Sequence, residues 1–174
     1  MRLLSTLALA TMLVVVGTAA AAETKVTLKD THLCCAQCVR VVGQILQKIE
    51  GVTGKCDQDA GTIAITAKDK ETAQKALDAL AAGGFHGTTD NKDLTIKDDS
   101  GVTKGKVKSI TLTGIHNCCG ACDRKIKAEV GKVKGVTGNT SKARSDTFDV
   151  TGDFEAEELV KTLNAAGFHV KVKK

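Results

Sequence analysis

Proline is absent from the 174 residues, tryptophan and tyrosine are absent too, and only four Phe and two Met are present. Without proline there can be no cis-Pro turn, a requirement of several thiol-redox active sites. An aromatic content of 2% leaves no stacking platform for single-stranded nucleic acid. Lys+Arg 25 against Asp+Glu 20 gives a formal charge of +5, too diffuse to form a basic nucleic-acid face. No phosphate-cradling glycine loop, nucleophile triad or paired acid–base constellation can be found, so the sequence does not read as an enzyme. Hydrophobic residues at 42% are enough for a packed core, and no interior run reaches membrane-spanning length. What the chain does have is seven cysteines.

The first 22 residues read as a secretory signal peptide. Arg2 gives a basic start, an apolar run follows, and the small residues Ala20, Ala21 and Ala22 precede Glu23. Cleavage between Ala22 and Glu23 would deliver a secreted or periplasmic protein with no stable membrane association. An uncleaved anchor is the competing reading, but no basic stop-transfer flank follows the run. An oxidising compartment is implied, where reduced cysteines need a reason to remain reduced.

The remainder is a tandem repeat. His32-Leu33-Cys34-Cys35-Ala36-Gln37-Cys38 aligns with His116-Asn117-Cys118-Cys119-Gly120-Ala121-Cys122, Gly51-Val52-Thr53-Gly54 with Gly135-Val136-Thr137-Gly138, and Gly84-Phe85-His86 with Gly167-Phe168-His169. All four His and six of the seven Cys fall at matched positions, Cys56 being the exception. Period-2 alternation at Val26 and Leu28 predicts a strand, and Val42, Ile45, Leu46 and Ile49 are spaced for a helix. Two short strands follow, at 51–56 and 62–67, then a second helix carried by Ala73, Ala76, Leu77 and Leu80. A last strand is expected to begin at Phe85 or Phe168. The order βαββαβ, twice, predicts an α+β protein of two tandem ferredoxin-like sandwiches, each an antiparallel sheet with two helices on one face. The domains are placed at 24–90 and 108–174, with a Lys-, Asp-, Gly- and Ser-rich linker at 91–107 in which 94–96 could form a hairpin. The Lys-rich segments 104–108 and 171–174 read as solvated surface.

In both copies the cysteines lie between the first strand and the first helix. A helix N-terminus carries unpaired N–H groups and the positive end of the dipole, which favours thiolate over thiol. Cys35 and Cys38, three apart across that junction, can turn both sulfurs to one point, and so can Cys119 and Cys122. Converging thiolates suit Cu(I) or Hg(II), and Zn(II) when further ligands join. Cys34 and Cys118 are placed to act as third sulfurs, and His32 and His116 as nitrogen ligands or donors to the sulfurs.

At these residues the chain resembles the heavy-metal-associated domain family, which includes copper chaperones, the N-terminal arms of metal-pumping ATPases and periplasmic mercury-binding proteins. Its signature is Gly-Met-x-Cys-x-x-Cys after the first strand, with Gly-Phe or Gly-Tyr closing the second helix. The resemblance implies metal binding by Cys35 and Cys38, and by Cys119 and Cys122. It also implies an aromatic ring, Phe85 or Phe168, under the metal loop. The chain departs from the signature at the Met position, which is Leu33 or Asn117, at the Gly position, which is His32 or His116, and at the variable slot, which is Cys34 or Cys118. An extra sulfur there widens the choice from two-coordinate Cu(I) to trigonal Cu(I) or Hg(II) and to Cys3His Zn(II).

The reading is an exported protein that carries or sequesters one soft ion per repeat, Cu(I) first. It would pass the ion by ligand exchange to a metal-transporting ATPase or another thiol protein. The alternatives are a thiol–disulfide oxidoreductase and a zinc- or mercury-binding protein of the same fold. A redox role is disfavoured by the missing cis-Pro and Trp. Structural disulfides are disfavoured because Cys34–Cys35 would be strained and Cys35–Cys38 closes too short a loop. Cys56, in a strand, is expected to be a core thiol. His86 and His169 are expected beside the metal loop, tuning it rather than ligating.

Overall fold

The alternation at Val26 and Leu28 forms β1 (Thr24–Lys29), whose inward face meets Ile63 and Ile65 of β3 (Thr62–Ala67) in antiparallel register. The computed structural model describes residues 22–173, so the signal-peptide reading lies outside the described residues. Between these strands come α1 (Ala36–Leu46) and β2 (Val52–Asp57), and after them α2 (Lys70–Ala82) and the short β4 (Thr88–Thr89). The second copy repeats the order with β5 (Lys106–Thr113), α3 (Gly120–Val130), β6 (Val136–Asn139), β7 (Phe148–Glu155), α4 (Ala156–Ala165) and β8 (Lys171–Val172). The sheets run β2-β3-β1-β4 and β6-β7-β5-β8, all pairings antiparallel. This is the βαββαβ sandwich expected from the sequence, twice.

Each sheet buries one face under its two helices. Val42 and Leu46 of α1 and Ala73, Ala76, Leu77 and Leu80 of α2 are buried against the first sheet. Ile126, Val130, Leu159, Val160 and Leu163 do the same in the second. α2 starts on Asp69, whose carboxylate accepts from the Thr72 backbone N–H at 2.7 Å. No helix among the described residues is long and apolar enough to cross a membrane.

Two expectations change. The segment joining the copies forms no hairpin at 94–96; instead Leu94 and Ile96 are buried in the core, and Thr95 exchanges two hydrogen bonds with Gln74 of α2, at 2.8 and 3.3 Å. Its polar composition hid two anchoring apolar side chains. The final strands do not begin at the phenylalanines. Phe85 and Phe168 pair with each other in an isolated antiparallel bridge between the copies, and the closing strands are two residues each, further on.

Candidate metal centre

Cys35 and Cys119 occupy the N-cap positions of α1 and α3 in extended backbone. Cys38 and Cys122 follow in the first turn, both fully buried, at the positive end of the helix dipole. Cys34, Cys35, Cys118 and Cys119 are half-buried. The loops are anchored differently. Leu33 is buried in the core of the first copy, whereas Asn117 is held by polar contacts: its side-chain Nδ2 donates to the Lys142 carbonyl at 2.9 Å, and its backbone carbonyl accepts from the Arg144 N–H at 2.7 Å. The sequence had flagged this position as a departure, and the structure supplies its consequence.

The two loops face each other across a pseudo-twofold junction. The His86 N–H donates to the Gly167 carbonyl and the His169 N–H to the Gly84 carbonyl, both at 3.0 Å. Phe85 stacks on His116 with ring centres 4.3 Å apart, and Phe168 lies against His32 at 4.4 Å. Each aromatic of the Gly-Phe pairs therefore supports the histidine of the opposite copy's loop. Gly84 and Gly167 have φ of +84° and +87°, and a Cβ on either would lie 2.2 Å from the backbone nitrogen of His116 or His32. Only glycine permits that approach.

As a result the six motif sulfurs converge. Within the first loop Cys34–Cys38 and Cys35–Cys38 are 3.8 and 3.7 Å apart; within the second, Cys118–Cys122 and Cys119–Cys122 are 3.7 and 3.8 Å apart. Contacts between loops are as short: Cys34–Cys122 3.3 Å, Cys34–Cys119 3.6 Å, Cys38–Cys118 3.6 Å and Cys35–Cys118 3.8 Å. All seven cysteines are free thiols. Three groups place their ligand atoms within 4.8 Å of one another: Cys38, His116, Cys118 and Cys122; His32, Cys34 and Cys122; and Cys34, Cys35 and Cys119. Every group draws on both copies. Spacing brought together the sulfurs of each repeat; the docked repeats also bring the sulfurs of the two loops within 3.3 to 3.8 Å of one another.

The electrostatics suit a soft cation. The Nε2 atoms of His32 and His116 are buried and lack hydrogen-bond partners. Burial, reinforced by the charges of Lys125 and His116, lowers the His32 pKa to about 4, so its ring is neutral at pH 7. Burial foremost, with the crowding of other sulfurs, pushes the Cys34 and Cys118 thiols far up. Cys119 is held down at about 7, chiefly by the backbone N–H of Cys122 at the start of α3. A thiophilic ion binding at Cys34 and Cys118 would displace the protons that burial holds there.

Cys56 lies half-buried in β2 and joins none of these groups. His86 and His169 are near the loops but face each other, with Nδ1 atoms 3.1 Å apart, and His169 Nε2 lies 2.7 Å from an Asp99 carboxylate oxygen. Asp99 comes from the joining segment, and nothing in its local sequence pointed to this contact. Open pockets reach the cluster from two sides, one edged by Cys34 and His32, the other by Cys118 and His116.

No family model and no curated protein matches the sequence. Solved structures similar to it include oxidised MerP from Ralstonia metallidurans, 26% identical over 40% of this chain and 100% of that one, with a TM-score of 0.36. A copper-binding domain of a P-type ATPase is 21% identical over 39% of this chain and 96% of its own, with a TM-score of 0.37. The N-terminal soluble domains of Bacillus subtilis CopA are 18% identical over 88% of this chain and 95% of theirs, with a TM-score of 0.34.

Proposed function

We propose that this protein is an exported carrier or store of thiophilic metal ions, Cu(I) first, held by Cys34, Cys35, Cys38, Cys118, Cys119 and Cys122. The observation that carries the reading is the convergence of these six free sulfurs at 3.3 to 3.8 Å between two helix N-termini. Soft thiolates select Cu(I) or Hg(II) over harder ions. Burial of Cys38 and Cys122 shields the ion, while Cys34 and Cys118 edge the two openings. Release to a partner, such as a metal-transporting ATPase or another thiol protein, would proceed by exchange. An incoming thiol bonds the ion and passes its proton to the departing sulfur, and the ion keeps its oxidation state.

A Zn(II) reading is favoured by one specific grouping. Cys38, Cys118, Cys122 and His116 offer three sulfurs and one nitrogen within 4.8 Å, a tetrahedral donor set. Two assays on the reduced protein separate the readings. Competition against Cu(I) and Zn(II) chelators is expected to show withdrawal of Cu(I), while disulfide-reductase activity stays at background. Catalytic disulfide reduction without metal uptake would instead make the protein an oxidoreductase.

A further inference from the structure

Accepting the soft-metal reading, we propose that each ion is held across the two repeats, by the CxxC pair of one and the cysteine preceding the CxxC of the other. Cys35, Cys38 and Cys118 form a closed triangle of sulfurs with edges of 3.7, 3.6 and 3.8 Å. Cys119, Cys122 and Cys34 form its pseudo-symmetric mate, with edges of 3.8, 3.3 and 3.6 Å. An ion about 2.3 Å from each of three coplanar sulfurs would set them about 4.0 Å apart, so both triangles are close to trigonal size already.

The cysteine before each CxxC makes sulfur–sulfur hydrogen-bond contacts with both CxxC thiols of the other repeat but with one of its own. Cys34 lies 3.8 Å from Cys38 and within 4.8 Å of Cys35, against 3.3 and 3.6 Å to Cys122 and Cys119; Cys118 lies 3.7 Å from Cys122, with Cys38 and Cys35 of the other repeat at 3.6 and 3.8 Å. Each preceding cysteine thus reaches both CxxC thiols of the opposite repeat while staying near its own loop. The buried, unpartnered Nε2 atoms of His32 and His116 independently mark the cluster as incomplete without a ligand. Each bound ion therefore ties the repeats together, and the cysteine next to each CxxC serves the opposite repeat.

Two triple variants, each losing three cysteines, test this by Cu(I) affinity and by the sulfur number from X-ray absorption. Cys35→Ser/Cys38→Ser/Cys118→Ser keeps the Cys34, Cys119, Cys122 triangle whole, and one Cu(I) with three sulfurs is expected. Cys34→Ser/Cys35→Ser/Cys38→Ser keeps all of the second loop but breaks both triangles. Its Cu(I) should drop to two sulfurs and bind about tenfold more weakly, or worse. Equal behaviour, or the reverse ranking, overturns the cross-repeat assignment. Failure of the unaltered protein to bind Cu(I) overturns the underlying function instead.

Single substitutions give a check that tolerates poor folding of the triples. In Cu(I)-loaded Cys34→Ser, alkylation mapped by mass spectrometry should reach Cys119 and Cys122 first. Preferential labelling of Cys35 and Cys38 would contradict the proposal.

Discussion

A methyl group at Gly84 or Gly167 would lie 2.2 Å from backbone of the opposite repeat, at a residue with φ above +80°. Gly84→Ala is therefore expected to destabilise by at least about 1 kcal/mol, lowering the melting temperature by roughly 2–4 °C or more. It should also separate the repeats, seen as a larger radius of gyration in small-angle scattering. Unchanged melting and compactness would mean the junction is not held as described. Asn117→Ala removes the donor to the Lys142 carbonyl from a buried position, with an expected cost of about 1–3 kcal/mol in denaturant unfolding. At this scale the sequence was informative about chemistry and poor about partners. The CxxC spacing identified which thiols could converge, because a helix start fixes their relative direction. That Phe85 would support His116, or Cys34 face Cys122, depends on contacts more than 30 residues apart in sequence, which leave no local pattern.

Among the elements, the four helices and the long strands follow from period 3.6 and period 2 in the apolar residues, since each buries one face against its neighbour. The places where that reading failed are those where burial is not periodic. Leu94 and Ile96 sit in a polar stretch without regular structure, yet they are 1% and 8% exposed. Leu94→Ala should thus cost about 2–5 kcal/mol in thermal or denaturant unfolding, the penalty of a core leucine. A cost near zero would restore the picture of a solvated linker. The β4 and β8 strands are two residues long, too short for alternation to register, and the bridge between Phe85 and Phe168 joins copies rather than a sheet.

Over the whole molecule, docking of the repeats creates the sulfur cluster, and docking has its own pH dependence. His86 and His169 stack with ring centres 5.4 Å apart, bounded by Asp98 and by Asp99, which also pairs with Lys171 at 2.5 Å. Burial first, and the charge of His169 second, lower the His86 pKa to about 4, with Asp98 pulling the other way. In an opened or unfolded chain the ring would titrate near 6.5. Between those values the open form binds more protons, so the stability of the docked form is complete above about 6.5 and falls as pH drops toward about 4. Scattering of the metal-free protein is expected to show expansion across that window; a constant radius from pH 7 to 4 would contradict it.

The central claim is that the two cysteine loops act as one sulfur-rich receptor for soft ions. Copper-edge X-ray absorption of the anaerobically loaded, desalted protein tests it most directly. The expected result is retained Cu(I) with a sulfur-only shell of three ligands per ion, at about 2.3 Å. Copper lost on desalting, or a shell dominated by nitrogen and oxygen, would contradict the account.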